Sequence, residues 1–381
     1  MLSVGDSGTG RGFCKRVFPG GNTAYGFYSF YEYIAGPEAT RILILKGGPG
    51  VGKSTFMRRI AEALLERGYD VELHQCSSDH DSLDGVVIPG AGVALIDGTA
   101  PHVLDPRHPG CVDEILHLGD FWDERGMRSH RERIVECNRR IGHLFAHAYR
   151  FLRAAKEIYD DRAAIHSRAL ECGRANRLAV ELGERICGSA PVAEVPGKAR
   201  HLFASAISPR GLVHHLETIL GRLPRVVVLQ GPPGSGKSTL LQKVAAHVQE
   251  RGFDVECYHC SLDPARLEHL VVPALGVGVV TSAEPHLYWP PQPEAVVDLG
   301  TCLRAGELAS WARVAQEDRR IYRELLERAI SFIARAKEVH DEMEGYYTPH
   351  MDFAAIDELR ERTLQRILSY CREAAGAPSS A

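Results

Sequence analysis

The segment Gly47-Gly48-Pro49-Gly50-Val51-Gly52-Lys53-Ser54-Thr55 returns as Gly231-Pro232-Pro233-Gly234-Ser235-Gly236-Lys237-Ser238-Thr239. Lys237 follows Lys53 by 184 residues, and the likeness at that offset runs far past the glycines. Glu66-Arg67-Gly68-Tyr69-Asp70-Val71-Glu72 becomes Glu250-Arg251-Gly252-Phe253-Asp254-Val255-Glu256; Cys76-Ser77 and Asp79 return as Cys260-Ser261 and Asp263; Pro101-His102 returns as Pro285-His286. A small gap shifts the offset to 181, where Phe151 and Ala155-Lys156-Glu157 match Phe332 and Ala336-Lys337-Glu338. Upstream, Phe18 and Gly26 match Phe203 and Gly211. The period is far longer than that of a solenoid, so the chain reads as two domains and not as an array. Linker chemistry from Gly188 to Gly197 separates 1–190 from 198–381. With 381 residues in all, each half is long enough to bury its own core.

Each repeated segment fits the pattern Gly-x4-Gly-Lys-Ser/Thr. Ile42-Leu43-Ile44-Leu45 and Val226-Val227-Val228-Leu229 precede the two copies and read as buried parallel strands. Phe56 to Arg67 and Leu240 to Arg251 follow them with helical periodicity and stop at Gly68 and Gly252. The glycines let the backbone curl so that N–H groups converge on phosphate oxygens, and the helix N-terminus adds partial positive charge. Lys53 and Lys237 are then expected to reach the β- and γ-phosphates of a nucleoside triphosphate. Ser54 and Ser238 are expected to place hydroxyls on Mg²⁺. The bland alternative is a glycine-rich turn beside a surface lysine.

Gly92-Val93-Ala94-Leu95-Ile96-Asp97 reads as an apolar strand ending in a carboxylate, one strand beyond the loop helix. Asp97 is expected to hold Mg²⁺, or else to begin the turn Asp97-Gly98. The second half has Thr281 at this place, a poorer partner for a hydrated cation. The other acid there, Asp298, corresponds to His117 of the first half. Catalysis is therefore expected in the first half, with weak or no turnover in the second. No Glu follows Asp97, since the next residue is Gly98; Asp79, His102 and Glu114 are the candidates for activating water. The missing Glu favours a kinase, whose acceptor supplies its own nucleophile. His102 reads equally as a satisfied turn histidine.

Charge is near balance, with 45 basic and 49 acidic side chains, so no basic field advertises nucleic acid. The opening residues lack a signal-peptide core and no apolar stretch is long enough to span a bilayer, which points to a cytoplasmic protein. The ten cysteines lack the spacing of a secreted disulfide framework. Cys257 and Cys260 resemble a metal or redox pair, but Leu73 replaces the first of them in the other half, and buried free thiols are the preferred reading. Polar helical sequence fills 120–187 and 304–375. Seams at Leu144, Ala148, Phe151, Ala155, Ile158 and at Leu178, Leu182, Ile186 form a helical hairpin for the first half. Leu325, Ala329, Phe332, Ala336, Val339 and Leu359, Thr363, Ile367 form its counterpart, each packed on or beside its sheet. Arg139 and Arg320 coincide and read either as phosphate sensors or as solvated side chains.

The two loops with their strand and helix contexts, together with Asp97, resemble the P-loop NTPase superfamily. The fuller set is similar to an uncharacterised bacterial family of tandem P-loop (Walker A) ATPases. It comprises Cys76-Ser77-Ser78-Asp79, Leu83-Asp84-Gly85-Val86-Val87-Ile88-Pro89 and Asp97-Gly98-Thr99-Ala100-Pro101-His102. The resemblance spans nearly the whole chain and implies an α/β fold of two tandem P-loop NTPase domains. Each would be a mainly parallel sheet flanked by helices, with a helical hairpin appended. It implies ATP and Mg²⁺ as ligands and ATP hydrolysis as the activity. A small-molecule or nucleotide kinase and a non-catalytic nucleotide-gated binding module are the rivals. An unidentified small-molecule acceptor, or a protein partner reached through the hairpins, completes the expected partners.

Overall fold

Arg41 to Lys46 alternates nothing: four apolar residues stand between two charged ones, and all four are buried. Such a run suits a strand covered on both faces. It is β4 (Arg41–Lys46) of a computed structural model that describes residues 10–79, 81–100, 102–284 and 287–376. The first repeat continues the order β1 (Cys14–Val17), β2 (Gly20–Thr23), β3 (Gly26–Ser29), β4, α1 (Lys53–Leu65), β5 (Val71–Gln75), β6 (Leu83–Ile88), β7 (Val93–Asp97) and β8 (Asp113–His117). Then come α2 (Glu124–Ser129), α3 (Arg131–Arg168) and α4 (Cys172–Cys187). The second repeat holds β9 (Ala199–Phe203), β10 (Ser205–Ser208), β11 (Gly211–His214), α5 (Leu216–Leu220), β12 (Arg225–Gln230), α6 (Lys237–Glu250), β13 (Val255–His259), β14 (Leu267–Val272), β15 (Val277–Thr281) and β16 (Ala295–Asp298). It ends with α7 (Ala305–Ala309), α8 (Ala312–Tyr347) and α9 (Phe353–Gly376).

Each repeat builds a six-stranded sheet, in the order β1-β5-β6-β7-β4-β8 and, for the second, β9-β13-β14-β15-β12-β16. The sheets are mixed and mostly parallel: β6 and β14 run antiparallel to both of their neighbours. The stretch from Ser78 to Pro89, which reads from sequence as a connection, thus contains a strand. Only Pro89 to Gly92 join β6 to β7, too short for the crossover that a parallel pair requires. Asp84, set inside this apolar run, is what hides the strand from a hydrophobicity pattern.

Leu45 pairs with Asp97 and Lys46 with His117, so both neighbours of β4 end beside the loop that follows it. In the second sheet the same places fall to Thr281 beside Leu229 and Asp298 beside Gln230. Phe56, Met57, Ile60 and Leu64 line one face of α1 and bury against Leu43, Leu45, Val71 and Leu95. Leu240, Leu241, Val244 and Val248 of α6 do the same over Val227, Leu229 and Val279.

The compact units depart from the repeat boundary. One comprises 10–20, 29–146 and 333–376; the other comprises 21–28 and 147–332. In the first, α9 of the second repeat lies on α1, burying Ile356, Leu364, Ile367 and Leu368 in that core. In the second, α4 of the first repeat lies on α6 through Ala179, Leu182 and Ile186. The division at 1–190 and 198–381 therefore describes the duplication and not the packing. The helices α3 and α8, 38 and 36 residues long, each begin in one unit and end in the other, so the helix that follows belongs to the unit its chain has entered. Unit two also takes up the β2–β3 hairpin, where Asn22 Nδ2 donates to the Ile207 carbonyl at 3.0 Å. No helix among the described residues is long and apolar enough to cross a membrane.

Candidate functional site

Between β4 and α1 the backbone turns through three left-handed glycines, Gly47, Gly50 and Gly52, at φ of 152°, 68° and 89°. Gly231, Gly234 and Gly236 repeat the turn between β12 and α6 at 134°, 81° and 91°. A side chain at these positions would strain the backbone, which is why the glycine spacing is kept in both loops. No side chain caps the N-terminus of α1 or of α6. Pro49, Val51 and Thr55, with Pro232, Pro233, Ser235 and Thr239, complete the two loops. Val51 is fully buried and its methyl packs under Gly47.

Lys53 folds back over its own loop. Its Nζ donates to the Gly47 and Gly48 carbonyls at 3.1 and 2.8 Å and lies 3.6 Å from Asp97 Oδ2. Lys237 donates to Gly231 and Pro232 at 2.6 and 2.8 Å. Burial lowers the Lys237 ammonium to about 8, against a smaller opposing pull from Glu268. Ser54 Oγ accepts the Leu83 N–H and Ser238 Oγ accepts the Leu267 N–H, both at 3.0 Å. Each hydroxyl keeps its proton and one lone pair for another partner.

Asp97 serves two ends. Oδ1 accepts the Thr99 N–H and hydroxyl at 2.9 and 2.5 Å, the turn role, while Oδ2 faces Lys53. Thr281 stands in its place in the second sheet, with a buried hydroxyl that has no hydrogen-bond partner among the described residues. Asp79 sits in a turn, accepts the Ser82 hydroxyl at 2.8 Å and pairs with Lys337 at 3.4 Å. His102 stacks on the Tyr31 ring at 4.5 Å, and burial, then Lys53, lower its imidazole to about 4, so it is neutral at pH 7. His286, its counterpart in the second half, lies outside the described residues. Glu114 is taken up by Arg366, which grips both carboxylate oxygens, at 2.8 and 2.5 Å. Arg139 and Arg320 are solvent-facing and are held by acids on their own helices.

Two groups that the sequence reading does not single out join the first loop. Asp84 on β6 is buried, and its carboxyl is pushed up to about 7 by that burial, with repulsion from Asp97 and Asp79 adding to it. Its counterpart 184 residues on is Glu268, also pushed up to about 7 by burial. The signal was an acid at the same place in both copies of an apolar run. The second group is the last turn of α8. Glu344 Oε1 accepts the Gly50 N–H at 3.2 Å, and the Tyr347 ring closes over Gly48, where a Cβ would meet its Cε1 at 2.6 Å. In the other unit α3 lies on the loop by backbone and hydroxyl: Ser167 Oγ donates to the Gly234 carbonyl at 3.1 Å, and the Ala163 carbonyl fills the space beside Gly234. Lys156 pairs with Asp263 at 3.4 Å as Lys337 pairs with Asp79. A cleft beside Gly52 and Thr55 is lined by Arg59, Phe353 and Arg360.

In the first loop these parts bring an uncapped helix N-terminus, an ammonium and a carboxylate together, a set suited to an anion with a companion cation. Comparison with family models, curated proteins and solved structures finds no match.

Proposed function

We propose that the chain binds ATP with Mg²⁺ in both glycine loops as a P-loop NTPase, hydrolyses it in the first repeat, and binds it with weak or no turnover in the second. The observation that carries this reading is the loop itself: the same three left-handed glycines, opening a helix with an ammonium over the turn, occur twice. The first loop adds an acid facing that ammonium, whereas the second has Thr281. In this reading Ser54 and Asp97 hold Mg²⁺ in the first loop and Ser238 holds it in the second. Lys53 neutralises charge on the transferring phosphoryl group. The cleft at Phe353 supplies a stacking face for the base. A kinase is the second reading, favoured by Gly98 where hydrolases of this type place a carboxylate, and by the neutral His102 near Lys53.

Phosphate release at saturating ATP tests the division of labour. Lys53→Ala should lower the rate by about a hundredfold or more, the usual cost of removing one preorganised donor to developing charge. Lys237→Ala should keep at least half of the rate. Equal losses would overturn the asymmetry. Phosphate release that appears only with an added acceptor would replace the hydrolase with the kinase, and tight binding without turnover would leave a nucleotide-gated module.

A further inference from the structure

Cys76, Asp84 and His102 bring one sulfur, one carboxylate oxygen and one imidazole nitrogen within 4.8 Å of one another. They come from three separate pieces of chain: the end of β5, the strand β6 and the turn after β7. The Asp84 and His102 side chains are only 7 and 8 % exposed, with 4.0 Å between the carboxylate and Nε2. The ring plane of His102 is fixed by its stack on Tyr31. Burial, with Asp84 beside it, holds the Cys76 thiol well above its usual range, against smaller opposing hydrogen bonds from the Ser78 and Asp79 backbone, so a thiolate forms here only against a cation.

The sequence repeats this set. Cys76, Asp84 and His102 shifted by 184 residues are Cys260, Glu268 and His286. The carboxylate changes from Asp to Glu, and the stretch between also keeps Ser77, Asp79, Leu83, Pro89 and Pro101. Burial pushes the Cys260 thiol up to about 12 and the Glu268 carboxyl up to about 7, and His286 lies outside the described residues.

We propose that Cys76, Asp84 and His102 bind a zinc-class divalent cation, with three protein ligands and a fourth position open. Sulfur and nitrogen donors select a borderline-soft ion over Mg²⁺. Charge balances: a thiolate and a carboxylate offset a 2+ ion, and a neutral imidazole adds none. On binding, Cys76 and the protonated fraction of Asp84 lose their protons to solvent as the sulfur–metal and oxygen–metal bonds form, with no change of oxidation state. This site differs from the Mg²⁺ position at Ser54 and Asp97 and does not depend on nucleotide.

The test uses the full chain, reduced, chelator-treated and titrated with Co²⁺ alone and then Zn²⁺. One equivalent of Co²⁺ should bind with a sulfur-to-cobalt charge-transfer band and tetrahedral visible bands, both erased by Zn²⁺. Cys76→Ser should remove the band and the bound equivalent. Cys257→Ser should change nothing, because Cys257 is no member of the trio. His102→Gln, on a turn and less disruptive, should weaken uptake at least tenfold while the band persists at high Co²⁺. It also decides the matter if Cys76→Ser does not fold. Absence of stoichiometric uptake, or a band indifferent to both Cys76→Ser and His102→Gln, overturns the proposal.

Discussion

Asp97 holds the turn with one oxygen and faces Lys53 with the other, and the two roles can be separated by charge. Asp97→Asn preserves an oxygen for Thr99 but removes the negative charge near the cation. The Mg²⁺ concentration for half-maximal phosphate release should rise about tenfold, equivalent to about 1.4 kcal/mol. ATP docking should change less, since the backbone cradle stays. Titrating Mg²⁺ at fixed ATP measures this, and an unchanged midpoint and rate would reduce Asp97 to a turn residue. The glycine turns are legible in the sequence because glycine, lysine and hydroxyl stand within nine residues of one another, and Asp97 because it ends an apolar run. Asp84 is not, because one acid in an apolar run carries no sign of its depth. Glu344 was not legible at all, since it lies 294 residues from the N–H it accepts.

At the scale of elements, the last turn of α8 competes for the first loop. On the proposed nucleotide-binding reading, a carboxylate on the Gly50 N–H occupies a donor that a phosphate oxygen would need, and it would repel that phosphate. Glu344→Ala should therefore tighten ATP at the first loop by several-fold to tenfold, about 1–1.4 kcal/mol, the range for one hydrogen bond to a charged group less its replacement. Calorimetry in the Lys237→Ala background isolates that loop. Weaker binding in the variant would instead make Glu344 part of the nucleotide's own contact set. The helices themselves were legible from their seams: Leu182 and Ile186 of α4, and Thr363 and Ile367 of α9, are buried as the periodicity requires. Their choice of sheet was not legible, because the two seams are near copies and each fits either loop helix. The antiparallel turn of β6 was missed for a related reason. Strand direction is set by the length of the Pro89–Gly92 connection, and this matters only once β6 is seen to be a strand.

For the whole molecule, the duplication and the packing obey different divisions. Each sheet is made by one repeat, yet the helix that covers α1 or α6 comes from the other. A fragment ending at 190 keeps β4, α1 and the complete first loop but loses α9. Four aliphatic side chains of α9, Ile356, Leu364, Ile367 and Leu368, are buried there. At about 1.5–3 kcal/mol each, their removal costs roughly 6–12 kcal/mol, as much as the whole stability of an ordinary domain, about 5–15 kcal/mol. The fragment has one escape, to dock its own α4 on α1. That would require α3 to break, because the continuous helix of 38 residues ends in the unit to which α4 belongs. Fragments 1–190 and 198–381 made separately should therefore lack a cooperative thermal transition and should associate non-specifically through the bare face of α1 or α6. Made together they should form a stable one-to-one pair that melts like the intact chain. Circular dichroism melting and light scattering on each fragment and on the pair decide the matter. A monomeric 1–190 fragment with a sharp transition would show that the hairpin packs on its own sheet, as its sequence alone suggests, and that the exchange of α4 and α9 is not needed for the fold.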